Sequence, residues 1–274
     1  MCFCVFLFCF IFLFSKLANL LLLCFLSDVP TLIPSSCTLG PMLKREDRRD
    51  VLVMKKGLAG KTLEDLPAGS VVGTSSIRRT AQLARRYPHL KVANVRGNIG
   101  TRIAKLDAED SPYTCVILAA AGLLRLGLGE RISQYLDSTN GGILYAVGQG
   151  ALGIEIRKND TDMLRILHEV GDADTSLTCL AERSLLRTLE GGCSAPLGVE
   201  TEWVLQHDGV KKLRMKAVVV SVDGSESADI DISKTVESPV AAESFGVDAA
   251  KELIANGAGK ILDAIQQNKK AAAA

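Results

Sequence analysis

The chain has little of what most cofactor and metal chemistry needs. Only three of its 274 residues are histidine, one is tryptophan, and aromatic residues make up 5%. His89, His168 and His207 are far apart and beside no acidic cluster, so they read as surface or structural side chains and no metal site is expected. Eight cysteines stand at positions 2, 4, 9, 24, 37, 115, 179 and 193 without one C-x-x-C pair, which excludes a zinc ribbon and a dense disulfide scaffold and favours a reducing compartment. No excess of one charge exists either: 32 basic against 31 acidic residues leave a net charge of +1 and no global field for nucleic acid. Neither G-x-x-x-x-G-K-[ST] nor G-x-G-x-x-G occurs in the glycine-containing turns at 73–79 and 95–102, so a nucleoside triphosphate or a dinucleotide is disfavoured there.

The apolar residues are unevenly placed. Residues 1–26 hold seven of the eight phenylalanines and four of the eight cysteines, and Lys16 is the only charge before Asp28. Such a segment is long enough to cross a bilayer, for which about 20 apolar residues suffice. It lacks the basic start and small-residue end of a secretory leader. Two readings stand: a membrane or signal segment, or a stretch foreign to the domains after it.

From Asp28 to Asp50 the chain reads as a connector, with Pro30, Pro34 and Pro41 and then the charged run Lys44 to Asp50. Strands and helices then alternate between about 70 and 145: strand 70–72, helix 76–86, strand 90–95, helix 99–106, strand 115–120. That order predicts an α/β unit built on a parallel sheet with both faces covered. A strand at 154–156, a helix near 160–170 and a helix over 176–189 follow, then strands between 197 and 235, and helix from 241 to 267 broken at Asn256-Gly257. The last part predicts a small α+β domain.

Two turns place cations at strand ends. Gly73-Thr74-Ser75-Ser76-Ile77-Arg78-Arg79 leaves a strand and opens a helix, so Thr74 and Ser76 are candidates to cap free N–H groups where an anion is favoured. Val95-Arg96-Gly97-Asn98-Ile99-Gly100-Thr101-Arg102 repeats the arrangement one strand later. Carboxyl ends of neighbouring parallel strands face one crevice, so Arg78, Arg79, Arg96 and Arg102, with Arg125 after the third strand, converge on a polyanion, best a polycarboxylate. Arg85 and Arg86 read as solvated helix charges. Leu189-Glu190-Gly191-Gly192-Cys193 ends a helix in an irregular turn. Its thiol is either a covalent anchor facing a cleft or a small buried hydrophobe.

These motifs, with Ala146-Val147-Gly148-Gln149-Gly150-Ala151-Leu152-Gly153-Ile154-Glu155, closely resemble the hydroxymethylbilane synthase (porphobilinogen deaminase) family in order and spacing, over about nine-tenths of the chain. The resemblance implies periplasmic-binding-protein-like α/β domains plus a small C-terminal α+β domain. Within that frame, residues 27–49 and 146–170 belong to a first domain, 50–145 to a second and 171–274 to a third. It further implies a dipyrromethane cofactor joined to Cys193 by a thioether, and condensation of four porphobilinogen molecules head to tail with loss of ammonia, as in heme biosynthesis. By the same carry-over Thr74, Ser76, Arg78, Arg79 and Arg102 surround the cofactor's carboxylates, and Arg96 and Arg125 bind substrate. Asp28 is the catalytic carboxylate that stabilises the cation left when ammonia departs. A cytoplasmic monomer that binds porphobilinogen and no nucleic acid is expected.

The match is incomplete before Asp28. Cys24-Phe25-Leu26-Ser27 stands where the family has His-Ser-Leu/Met-Lys, and most of a first domain has no counterpart upstream. The expectation is a truncated chain with impaired turnover, whose strand near 154 lacks its usual sheet. The alternative is a non-catalytic module that binds organic anions, tethered to a membrane through residues 1–26.

Overall fold

The computed structural model describes residues 10–11, 22–58, 60–189 and 195–273. Cys193 and its neighbours 190–194 lie outside them, as does most of the apolar segment 1–21.

Three sheets organise the chain. The first has the order β1-β2-β9-β3, formed by β1 (Phe10–Ile11), β2 (Leu22–Phe25), β3 (Cys37–Leu39) and, much later in sequence, β9 (Leu152–Arg157). Both neighbours of β9 are antiparallel, with Cys24 opposite Gly153 on one side and Thr38 opposite Ile156 on the other. The strand near 154 therefore has a sheet, and the end of the apolar segment supplies part of it. The proline-containing stretch 28–50, expected to be a connector, contributes β3 as well.

The second sheet is built from β4 (Asp50–Met54), β5 (Val71–Gly73), β6 (Lys91–Ala93), β7 (Cys115–Ala119) and β8 (Gln134–Leu136), in the order β6-β5-β7-β4-β8. Strand β5 runs parallel to β6 and β7, as the alternating pattern predicts. Strand β4 is antiparallel to β7 and β8, an addition that the pattern did not show. Helix α1 (Ile77–Arg86) follows β5, α2 (Ile99–Asp107) follows β6, and α3 (Ala120–Arg125) leaves β7 directly. Strand periodicity places alternate residues on opposite faces. Leu52, Met54 and Ile117 accordingly join Leu83 of α1 in one core, while Val51, Val53, Val116 and Leu118 join Leu106 of α2 and Leu123 of α3 in the other.

After α4 (Thr161–His168), which covers Ile154 and Ile156 of β9 through Leu167, the third unit begins with α5 (Ala173–Thr188). Its sheet is the antiparallel meander β10 (Leu197–Leu205), β11 (Lys211–Val220) and β12 (Ser227–Lys234), closed by α6 (Pro239–Ala255) and α7 (Ala258–Ala273). Ser238 caps α6 by accepting from the Ala241 N–H, with Pro239 at the first helical position, and the helix pair breaks at the predicted Asn256-Gly257.

One fully buried carboxylate ties this unit to the rest. Glu182 of α5 takes both Nη1 (2.7 Å) and Nη2 (3.0 Å) of Arg45, the Gly148 N–H (2.8 Å) and the Thr201 hydroxyl (2.7 Å). Burial favours its neutral form, but the Arg45 charge and these donors hold its pKa below the usual glutamate value. Arg45 and Gly148 lie on the two segments that cross between the first and second sheets. Gly150 sits at their closest approach with φ +83°, and a Cβ there would stand 2.7 Å from the Glu46 carbonyl oxygen. No helix among the described residues is long and apolar enough to cross a membrane.

Candidate active site

Because β4 runs antiparallel to β7, its first residue, Asp50, lies opposite Ala119, at the carboxyl end of the parallel strands. Helix α1 starts at that same end and turns its first basic residues inward. The fully buried Asp50 carboxylate accepts from Arg78 Nη1 through Oδ2 (2.7 Å), and from Arg79 Nη2 (2.7 Å) and Gln149 Nε2 (2.8 Å) through Oδ1. Burial alone would raise its pKa, yet the two guanidinium groups hold it far below the ordinary aspartate range. Arg79 also donates to the Ile117 carbonyl (2.8 Å) and Arg78 to the Gln149 side-chain oxygen (3.4 Å). Both arginines are at least nine-tenths buried. They are not freely solvated charges; they are fixed in place by an acid that sequence reading assigned to a charged connector.

Two positive charges against one negative leave this cluster with an excess of one. Arg102, half-buried on α2, adds to it. Burial and repulsion from Arg79 depress the Arg102 pKa, and the side chain makes no ion pair among the described residues, its Nε donating only to the Gly97 carbonyl (2.7 Å). Arg79 Nε is itself buried without a hydrogen-bond partner. Like charges held together with an unused donor favour an anion nearby.

A cleft of about 300 Å³ opens beside Arg78. Its walls include Ser27, Ser75, Ser76, Arg78, Val147, Leu186 and Ala195. Leu186 precedes, and Ala195 follows, the segment 190–194, so the cleft adjoins the chain on both sides of Cys193. Ser76 occupies the N-cap position of α1 with no side-chain capping bond, which leaves N–H groups of the first turn available, while Thr74 is buried and its hydroxyl accepts from the Ser76 N–H (3.2 Å). A polar end with a guanidinium and helix N–H donors and an apolar flank of Val147, Leu186 and Ala195 suit pyrrole rings that carry carboxylates. The dipyrromethane group therefore fits the residues present.

Asp28 ends a short turn, Leu26–Asp28, next to Ser27 on the cleft wall. The turn is fixed by the Leu26 N–H to the Ala151 carbonyl (3.0 Å) and by Arg183, which donates to the carbonyls of Val29 (3.0 Å) and Pro30 (2.6 Å). Partial desolvation raises the Asp28 pKa above the ordinary value, against a weaker opposing hydrogen bond from Ser27 (3.4 Å). Arg96 is exposed at the end of β6, and its backbone carbonyl accepts from Lys105. Arg125 is directed to the crossing segment, where Nη2 donates to the Gly150 carbonyl (2.9 Å).

Sequence reading missed Asp50 and gave Gln149 no role; an acid just before a four-residue apolar run was the one available signal. A larger cavity of about 560 Å³ lies elsewhere, between residues 46–49, the 137–139 loop and strands β10 and β11. It brings together none of the predicted site residues, and three of its four cations are paired with carboxylates: Arg49 with Asp47, Arg214 with Glu202 and Lys216 with Glu200.

Replacing Asp50 by Asn leaves two buried guanidinium groups without their counter-charge and is expected to cost about 3–5 kcal/mol at neutral pH. Because the folded-state pKa is depressed, the wild-type advantage is complete above the unfolded aspartate value of about 4 and shrinks as the pH falls below it. Urea denaturation of both proteins at pH 7 and pH 3 checks this; equal midpoints at pH 7 would contradict it.

Comparison with known proteins agrees with this geometry. Residues 17–165 match the family described as porphobilinogen deaminase, dipyromethane cofactor binding domain, and residues 176–255 match its C-terminal domain. The first match begins inside the apolar segment. Porphobilinogen deaminase of Yarrowia lipolytica is 55% identical over 240 residues, covering 88% of this chain and 69% of that protein. That of Saccharomyces cerevisiae is 52% identical over 246 residues (89% and 73%), and that of Neurospora crassa 50% over 266 residues (94% and 76%). With two domains matched in order and half of all aligned residues identical, the chain belongs to the porphobilinogen deaminase family.

Proposed function

We propose that this chain acts as a hydroxymethylbilane synthase, joining porphobilinogen molecules head to tail with release of ammonia, and that it does so at the cleft beside Cys193. The observation that carries this reading is the excess positive charge of Arg78, Arg79 and Arg102, of which Arg78 lines a cleft that also takes residues from either side of the Cys193 segment. Each porphobilinogen brings an acetate and a propionate, so every added unit needs cationic partners in fixed places.

In this reading Cys193 carries the dipyrromethane by a thioether, and the group supplies the pyrrole end to which the first porphobilinogen is added. Arg78, Arg79 and Arg102, with Thr74, Ser76 and the first turn of α1, hold its carboxylates. Arg96 and Arg125 take those of the incoming substrate. Arginine suits both tasks because its planar fork binds a carboxylate bidentately and keeps its charge when desolvated. Val147, Leu186 and Ala195 exclude water on one flank, which strengthens every charge interaction inside. The ionised Asp28 carboxylate accepts from the pyrrole N–H and stabilises the positive charge that develops as ammonia leaves.

We divide the chain into three units, 27–49 with 146–170, 50–145, and 171–274; the sheet of the first also takes in β1 and β2, which precede residue 27. We read the chain as a cytoplasmic monomer; its cysteine spacing, without a C-x-x-C pair, favours a reducing compartment.

Mass spectrometry of the intact folded protein is expected to give a mass above that of the polypeptide by one dipyrromethane, and Cys193→Ser to lack the increment; equal masses would overturn the cofactor assignment. Because Asp28 must be ionised and its pKa is raised, the acid limb of kcat/KM is expected above pH 4, the range of an ordinary aspartate. Asp28→Asn should lower kcat about 100-fold or more. An acid limb at or below pH 4, or a near-normal kcat in the variant, would remove Asp28 from the chemistry.

A further inference from the structure

Arg125, like Arg102, is held without a carboxylate, and it alone of the two rests on an aromatic ring. Arg45, Arg49, Arg78, Arg79, Arg85, Arg131 and Arg214 all take carboxylates. Arg125 makes no ion pair among the described residues. Its guanidinium stacks over the Phe25 ring, 5.6 Å from the centroid, and Nη2 donates to the neutral Gly150 carbonyl at 2.9 Å. Burial depresses its pKa, and Glu46 offsets this only at longer range.

Both partners occupy telling places. Phe25 is the last residue of β2, two positions before Ser27 of the cleft wall and three before Asp28, and its side chain is 38% exposed. Gly150 lies where the two crossing segments touch, and its carbonyl also accepts from the Glu46 N–H at 3.3 Å. A ring and a neutral carbonyl are weak partners for a guanidinium: an exposed cation–π contact is worth about 0.5–1 kcal/mol, and a charge-assisted carboxylate bond is about twice as strong as a neutral one. A carboxylate ligand in reach therefore displaces both.

We propose that Phe25 and the Gly150 carbonyl hold Arg125 in a parked position, outside the cleft, and that binding of a porphobilinogen carboxylate draws it away and releases Gly150 at the junction of the crossing segments. This rests on the reading that Arg125 meets substrate. Phe25 is then a positioning residue that acts through Arg125 and competes with substrate. Engagement of a new unit then leaves the Gly150 carbonyl to the Glu46 N–H alone. The parking ring is a feature of this chain, since Phe25 stands where the family has serine.

The test combines kinetics with NMR of the arginine Nε–Hε groups in the full chain. Weakening the parked state by Phe25→Leu is expected to lower the KM for porphobilinogen about two- to fivefold with kcat unchanged, a factor that follows from the strength of the ring contact. Phe25→Tyr, which keeps a ring, should restore the wild-type KM. In the free wild-type protein the Arg125 Hε, assigned by its loss in Arg125→Lys, should be shifted upfield by the Phe25 ring, and the shift should vanish in Phe25→Leu and on addition of porphobilinogen. An unchanged or raised KM in Phe25→Leu, an Hε at the position of a solvated arginine, or a ring shift that survives saturation with porphobilinogen would each overturn the proposal. Absence of porphobilinogen turnover in the wild type would instead overturn the enzymatic reading, and the Hε shift would then decide on its own whether Arg125 is parked.

Discussion

The Asp50 carboxylate is the point on which site and fold both depend. An isolated buried charge is costly, and two adjacent buried guanidinium groups more so. Asp50 makes them tenable and, through its two oxygens, sets where each fork points. To reach them it must stand at the carboxyl ends of β5 and β7, which the antiparallel insertion of β4 accomplishes. Gln149 completes the cluster from the crossing segment, donating to both Asp50 and the Arg48 carbonyl. Sheet, helix and crossing segment thus meet at one carboxylate, and an excess positive charge remains at the cleft for an anionic ligand.

Glu182 does the same work one layer away. It joins α5 to both crossing segments, and beneath it the buried Tyr145 lies against Arg45, 5.3 Å from the ring centroid. Burial raises the tyrosine pKa to about 12, and the Glu182 charge adds to the effect, so the hydroxyl remains a donor and acceptor at any working pH. Helix α5, which precedes Cys193 in the chain, is in this way fixed to the segments that connect the other two sheets. Under the proposed function, a cofactor on Cys193 and carboxylates at α1 would belong to one connected frame, which a site built by adding one charged unit after another requires.

Much of this was readable from residue pattern. Strand β7 is a continuous apolar run, α5 repeats leucine at helical spacing, and Asn256-Gly257 marks the break between α6 and α7. The cations at 78, 79 and 102 stood out because they follow strand ends. Other features have no signature of that kind. Strand direction is not encoded in an apolar run, so β4 could not be read as antiparallel. Strand β3 is three residues in a proline-containing stretch, stabilised by pairing with residues more than a hundred positions later. Leu22–Phe25 looks the same as part of a membrane segment until β9 pairs with it. Asp50 closes a run of seven charged residues and resembles a solvated acid; only the fold shows that it, like Arg45 of the same run, is turned inward. Burial of Arg78 and Arg79 follows from that same hidden contact.

The central claim is that a frame holding excess positive charge at the cleft serves turnover of a dicarboxylate pyrrole and not its simple capture. Incubation of the purified chain with porphobilinogen, following ammonium and pyrrole together, tests it most directly. The account predicts one ammonium released for each porphobilinogen consumed and accumulation of a linear tetrapyrrole. Saturable binding of porphobilinogen with no ammonium released would contradict it and leave an organic-anion binder in its place.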